Sequence, residues 1–367
     1  MRFTEQSVGV MEAISVPDEV LDAYGLNGAS IEALSGGRTN RTLRVRAGRD
    51  LVLQQLLGAA HGDLLAVMEN LVRVTGHLDW RRSVEGGGPS WYPLLMPTNN
   101  NKPFLMTADG DVWRAFSYRT GQILRSSQPH ATLASAAAIY GRFCAATADL
   151  GGPPLIETAP GFHDIERVAS GFFADLEQSP ADRRADIEGV LDLIQRVAAD
   201  VDRRCADDGL DEVPLRVVHN DTKLSNVLFD RDQGDAVAVL DLDLVMMGPA
   251  WHDFGDLMRS ACWHAPNAQS PCIDGDLFET IVGSYVDGAQ DTLSDAEIST
   301  FATAGARLSL ELGMRYLHDH LRELPHLQVE GHRGHLRRGL ANVKLAEEML
   351  SAYDALRLIA DECITAR

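Results

Sequence analysis

The chain lacks any apolar run approaching the roughly 18 residues that cross a bilayer, any CxxC pair, any low-complexity tract and any repeat at a fixed period. Its five cysteines, Cys144, Cys205, Cys262, Cys272 and Cys363, are odd in number and scattered, which is not a disulfide framework. Residues 1–20 carry acidic side chains early and no apolar stretch of signal-peptide length, so a cytoplasmic protein with no membrane contact is expected. Positive charge is also scarce. Against 53 Asp and Glu stand 33 Lys and Arg, a formal net charge of −20. An acidic surface repels nucleic acid and anionic lipid, whose phosphates need Lys and Arg, so no nucleic-acid partner is expected. A local basic site for a nucleotide is still compatible with that sum. What is present is ordinary for a globular protein: 45 % apolar and 23 % charged residues over 367 positions, a length that suits two domains of about 150 residues.

The texture changes along the chain. SIEALSGGRTNRTLRV (30–45) places β-branched residues on both sides of a Gly-Gly turn, and AGRD at 47–50 turns into LVLQQLL. Two turns joining three short apolar runs predict an antiparallel meander. Apolar positions 64, 65, 68, 71, 72 and 78 then follow a helical period, closed by GGGP at 86–89. SWYPLLM, KPFLMT and DVWRAFSY read as strands, with a hairpin turn at Ala108-Asp109-Gly110. Beyond Tyr118 the pattern is helical over 132–150 and about 183–206, 276–289, 295–321 and 336–361. The expectation is an α+β protein: an N-terminal lobe (1–118) of antiparallel sheet with a helix, and a mainly helical C-terminal lobe (119–367). One strand-like island, 215–245, interrupts the helices, with VLFD and AVAVLD flanking the polar turn DRDQGD as a hairpin would. A small hairpin inside a helical lobe is a place to look for function.

That island holds His219-Asn220-Asp221-Thr222-Lys223-Leu224-Ser225-Asn226, an HxDxxxxN pattern, and Asp241 follows Asp221 by 241 − 221 = 20 residues. Phosphoryl transfer needs a carboxylate that orients and deprotonates a hydroxyl, and oxygen ligands that hold Mg²⁺ against nucleotide phosphates. Asp221 is the candidate base, and Asn226 and Asp241 are the candidate metal ligands, with Lys223 placed to reach the transferred phosphate. Read alone, His, Asp and Asn are common turn residues. The flanking strands, the Asp at +20 and the upstream meander favour the chemical reading.

HNDTKLSNVLFD, VAVLDLD and HDFGD together resemble the aminoglycoside phosphotransferase and choline kinase superfamily, which has a protein-kinase-like two-lobe fold. PAWHDFGDLMRS, ETAPGFHDIERV (157–168), ELGMRYLHDHL (311–321), LVLQQL and WRAFSY are similar to the N-acetylhexosamine 1-kinases within it. The likeness runs from about residue 30 to residue 350. It implies an ATP- and Mg²⁺-dependent kinase of a small-molecule sugar; a monomer or weak dimer is expected. It also implies that SGGRTNRTLRV is the glycine turn over the nucleotide phosphates, so that Gly36, Gly37, Arg38 and Asn40 join Gln54 as nucleotide-side residues. Arg315 falls in the implied substrate cleft, and Asp243 is a candidate substrate-binding residue.

One departure stands out. The third strand of most kinases carries a Lys for the α and β phosphates, whereas LVLQQL has Gln54 and Gln55 there. Arg38, Arg41 and Arg44 are candidate replacements, and Glu69 is a candidate remnant of the Lys–Glu pair. Asp243 is open between a second metal, a substrate hydroxyl and a backbone anchor, while Asp253 and Asp256 read as carboxylates that fix a loop. Trp251, Phe162 and Tyr316 are open between core and a sugar-stacking wall. His318, His320, His326, His332 and His335 crowd one region, but His318 and His320 are two apart and no HExxH occurs, which argues against zinc. The rival acceptors are aminoglycosides, choline and amino sugars. The rival outside enzymes is a nucleotide-binding pseudokinase, motivated by the missing Lys and opposed by the intact Asp221, Asn226 and Asp241.

Overall fold

The computed structural model of the protein describes residues 15–34, 40–57, 63–124, 128–264, 273–322 and 333–367. The chain divides into two compact units, Met1–Met68 with Pro93–Arg119, and Glu69–Tyr92 with Thr120–Arg367. The first unit contains α1 (Asp18–Tyr24), β1 (Ser30–Ala33), β2 (Asn40–Ala47) and β3 (Arg49–Leu56), then the start of α2 (Leu64–Val84). It continues after α2 with β4 (Leu95–Met96), β5 (Leu105–Met106) and β6 (Val112–Ser117). All six strands form one antiparallel sheet, ordered β1-β2-β3-β6-β4 with β5 also on β6. Period-two alternation puts Leu51 and Leu53 on one face, where they pack with Leu43, Val45 and Trp113 against Val20 and Tyr24 of α1.

The meander therefore forms as the sequence predicts, and Gly48 at φ +73° makes its β2–β3 turn. The Gly-Gly turn with Gly36, Gly37 and Arg38 lies outside the described residues, although the strands flanking it pair antiparallel. SWYPLLM and KPFLMT yield only two-residue strands. Pro93 and Pro103 lack the N–H that a ladder needs, so pairing starts after them.

The second unit follows with α3 (His130–Thr147), α4 (Ile165–Gln178), α5 (Ala181–Glu188) and α6 (Leu191–Asp207). Next come β7 (Leu215–Val218), β8 (Val227–Phe229), β9 (Ala236–Val239), β10 (Met246–Pro249) and α7 (Ala250–Cys262). It closes with α8 (Gly275–Ala289), α9 (Asp295–Ser299), α10 (Phe301–Leu321), α11 (Gly334–Ser351) and α12 (Tyr353–Thr365). The β8–β9 hairpin is present as expected, and β7 pairs antiparallel with β10, a pairing no local pattern announces. The helical run expected over 295–321 is two helices, because the Ser294–Glu297 capping box starts a short one that ends at Thr300. Asp253 and Asp256 sit on α7.

Close backbone approach sets how α3 and α8 pack. A Cβ at Gly288 would lie 2.2 Å from the Ala138 carbonyl oxygen, and one at Gly141 would lie 2.0 Å from that of Tyr285. Gly283, on the same helix as Gly288, has nothing within 4 Å of its Cβ position. Two changes of identical chemistry should thus have opposite signs in urea unfolding. Gly288→Ala is expected to cost about 1–3 kcal/mol or more through overpacking. Gly283→Ala should gain roughly 0.5–1 kcal/mol from helix propensity. Equal effects would contradict the close approach.

Candidate active site

The loop between β7 and β8 is held by the helix that follows β10. The buried carboxylate of Asp253 accepts the backbone N–H groups of His219 (2.9 Å) and Asn220 (2.8 Å), and its carbonyl accepts the Thr222 hydroxyl (2.6 Å). Asn220 is left-handed at φ +62°, a conformation Asn tolerates better than most residues. Its amide nitrogen donates to the Leu244 carbonyl (2.9 Å), which makes its side-chain oxygen the acceptor facing His252 Nδ1 (3.1 Å). Further along, Leu224 N–H donates to Ser260 Oγ and the Tyr140 hydroxyl donates to the Lys223 carbonyl.

His219 is fully buried against the rings of Tyr140 and Phe143. Its Nδ1 accepts the Asp221 N–H (3.3 Å), so Nε2 carries the proton and donates to the Leu240 carbonyl (2.9 Å). Leu240 N–H in turn donates to the Asn226 carbonyl at 2.8 Å. These two bonds fix the end of the hairpin, and therefore Asp241 at φ +58°, beside the loop.

Three of the sequence-derived candidates meet directly. Asp221 Oδ2 accepts from Lys223 Nζ at 2.5 Å and from Asn226 Nδ2 at 2.8 Å. Asn226 Nδ2 also donates to the Asp221 carbonyl at 2.9 Å, so its amide oxygen is left to face a ligand. That oxygen and the Asp241 carboxylate are hard donors of the kind Mg²⁺ takes, and the ion retains water on its other positions. No group of three or more His, Cys, Asp or Glu side chains able to hold a metal occurs among the described residues.

Burial pushes the Asp221 carboxyl up, but the charge and hydrogen bond of Lys223, with help from His219 and Asn226, hold it below its ordinary value of 3.8. Burial likewise opposes the Lys223 ammonium, and Asp221 and Asp241 hold it above its ordinary value. Burial pushes Asp253 up against the pull of His219 and of the two N–H groups it accepts.

The other candidates are more dispersed. Asp243 is buried on the single turn after Asp241, and Asp256 pairs with Arg259 at 2.6 Å. Arg315 is not a bare cation: it pairs with Glu311 at 2.9 Å, donates to the Phe162 carbonyl and lies over the Phe162 ring. Buried Glu311 also meets His163 Nδ1 (3.3 Å), whose Nε2 lies 3.4 Å from the Asn220 carbonyl. Trp251 is buried, its indole donating to the Leu210 carbonyl. In the first unit Gln54 Oε1 accepts from buried Arg114 at 3.0 and 2.8 Å, Asn40 is buried at the start of β2, Arg41 donates to the Ser15 carbonyl and Arg44 pairs with Asp50. Glu69 is exposed.

Sequence reasoning missed Arg114, His163, Glu311 and Asn70. Asn70 bonds both the N–H and the carbonyl of Ile156 and the carbonyl of Val245, just after the Asp241–Asp243 turn. A polar residue in an apolar helical stripe was the only available signal for it.

A model of the phosphotransferase enzyme family (APH) matches residues 30–279, and the chain belongs to that family. Among solved structures it is similar to an aminoglycoside phosphotransferase from Alicyclobacillus acidocaldarius, with TM-score 0.66 and 15 % identity over 96 % of this chain and 98 % of that one. It is also similar to a microcompartment-associated aminopropanol kinase, with TM-score 0.60 and 20 % identity over 93 % of this chain and 98 % of that one. A third is an amicoumacin kinase in complex with AMP-PNP and Ca²⁺, with TM-score 0.58 and 12 % identity over 91 % and 92 %. The fold is thus kinase-like, with an N-terminal antiparallel sheet and a mainly helical C-terminal part, and the family is one of phosphotransferase enzymes.

The charge balance at the loop can be measured directly. In the unaltered chain Asp221 should stay ionised down to below pH 3.8, whereas Lys223→Met removes the main opposing charge and leaves burial in control. The Asp221 carboxyl should then titrate above its ordinary value, read by ¹³C NMR. An unchanged titration would show that Lys223 does not set it.

Proposed function

We propose that the protein transfers the γ-phosphoryl group of ATP, with Mg²⁺, to a sugar hydroxyl, and that the acceptor is the anomeric hydroxyl of an N-acetylhexosamine. The observation that carries the reading is the contact of Asp221 with both Lys223 and Asn226, next to Asp241. Bound nucleotide and metal supply the transferable phosphoryl group and the charge that neutralises it. Asn226 and Asp241 are the residues that would hold the metal. Asp221 Oδ2 is engaged by Lys223 and Asn226, which leaves Oδ1 to accept the proton of the acceptor hydroxyl. The depressed pKa keeps that carboxylate ionised at neutral pH, and Lys223 supplies the adjacent positive charge.

For the acceptor, the support is the resemblance of PAWHDFGDLMRS and ELGMRYLHDHL to N-acetylhexosamine 1-kinases, together with the state of Glu311. That buried carboxylate is already matched by Arg315 and His163, so it offers little to a cationic substrate. A second reading, a cationic amino alcohol or aminoglycoside acceptor, draws on the names of the similar structures. A screen of ADP release separates the two. Turnover with N-acetylglucosamine or N-acetylgalactosamine and not with ethanolamine, aminopropanol, choline or kanamycin supports the first, and the reverse order refutes it.

Asp221→Asn is expected to lower kcat about 10²- to 10⁴-fold while ATP binding is retained. Near-normal kcat at saturating acceptor would remove Asp221 from the role of base. Arg315→Ala should raise KM for the acceptor about tenfold, the value of one lost charged hydrogen bond, with KM for ATP little changed. Equal changes in both constants would place Arg315 outside acceptor binding.

A further inference from the structure

On the Asn220 side of the loop lies a cavity of about 310 Å³ whose lining excludes Asp221, Asn226 and Asp241. The volume suits a monosaccharide-sized molecule. It is walled by Trp251, His252, His163, Met246 and Arg307, with Asn220 contributing from the loop. Three carboxylates also line it, Glu157, Asp164 and Asp211, and all three are exposed to water. Glu157 and Asp164 already accept backbone N–H groups, those of Gly161 and Arg167.

Arg307 is the unusual member. Three other partly buried arginines of this unit meet carboxylates, Arg216 with Glu297, Arg259 with Asp256 and Arg315 with Glu311, while Arg73 and Arg183 are held by backbone carbonyls. Arg307 meets none among the described residues. Its guanidinium lies 5.1 Å from the Trp251 ring centroid, Nη1 reaches only Cys205 Sγ at 3.8 Å, and its buried Nε has no hydrogen-bond partner. Partial burial of a guanidinium with an unmet N–H costs free energy unless a counter-anion arrives. The neighbouring imidazole completes the pattern. Burial, then His163 and Arg307, push His252 well below its ordinary value, so it is neutral. Because its Nδ1 donates to Asn220 Oδ1, its Nε2 is an acceptor for a hydroxyl.

We propose that this cavity binds a small polyol carrying one carboxylate or phosphate group, with the anion on Arg307 and hydroxyls against His252 beside the Trp251 wall. Because Asn220 lines the cavity and immediately precedes Asp221, occupancy bears on the loop that carries the base.

The test is calorimetric titration of the full chain, saturated with ADP and Mg²⁺ so that nucleotide-phosphate positions are filled. The probes are glucose 6-phosphate and glucuronate, with neutral glucose as control. Binding of either anion and not of glucose is expected, and the two arms decide between phosphate and carboxylate. Arg307→Gln should weaken binding about tenfold or more, and Arg307→Lys should retain part of it. As a readout that does not depend on the stability of those variants, the anion should change tryptophan fluorescence in the unaltered chain, and Trp251→Phe should abolish the change. Absence of binding by both anions, equal binding in Arg307→Gln, or a fluorescence change that survives Trp251→Phe would overturn the proposal.

Discussion

Two consecutive backbone N–H groups, those of His219 and Asn220, end on the single buried carboxylate of Asp253. A left-handed Asn costs of order 1–2 kcal/mol when nothing holds it, and the paired acceptor supplies the compensating contact. With the loop start fixed, the hydrogen bonds of His219 to Asp221 N–H and to the Leu240 carbonyl become available together. Those bonds bring the end of the β8–β9 hairpin to the loop, and Asp241 arrives beside Asn226 as a consequence. The site is thus assembled from the backbone outward, and its side chains inherit positions already set by Asp253.

The charge arrangement follows the same economy. The chain has only three lysines, and one of them, Lys223, is held against Asp221. A compact ammonium there keeps the carboxylate ionised without the two-pronged grip of a guanidinium, which would occupy both oxygens. Arginine is used where geometry is to be locked: Arg315 on Glu311, Arg259 on Asp256, and Arg114 on Gln54. The last of these fills the third-strand position with a neutral amide fixed by a buried cation from the neighbouring strand.

Much of this was legible in the sequence because the relevant signals are local. The meander, the hairpin and the HxDxxxxN spacing each rest on a few adjacent residues, and β2, β3, β8, β9 and the Asp221–Asn226 contact appear where those patterns put them. What was not legible depends on distant partners. The pairing of β7 with β10 joins segments about 30 residues apart, and Arg114 acquires its place only when β6 lies beside β3. HDFGD reads as carboxylates that fix a loop, and Asp253 does hold the His219 and Asn220 N–H groups, but its place on a helix whose apolar face is supplied by Trp251, Phe254 and Leu257 is not visible in those five residues alone. Glu311 and His163 could not be linked by spacing, since 148 residues separate them.

The central claim is that Asp253 holds the loop in the geometry that transfer requires, without itself touching nucleotide or acceptor. Single-turnover phosphoryl transfer with Asp253→Asn tests it most directly, because Asn keeps one acceptor and forfeits the other. The account predicts a rate about tenfold or more below that of the unaltered chain, with ATP affinity within about twofold. A rate unchanged in a folded Asp253→Asn protein would contradict it.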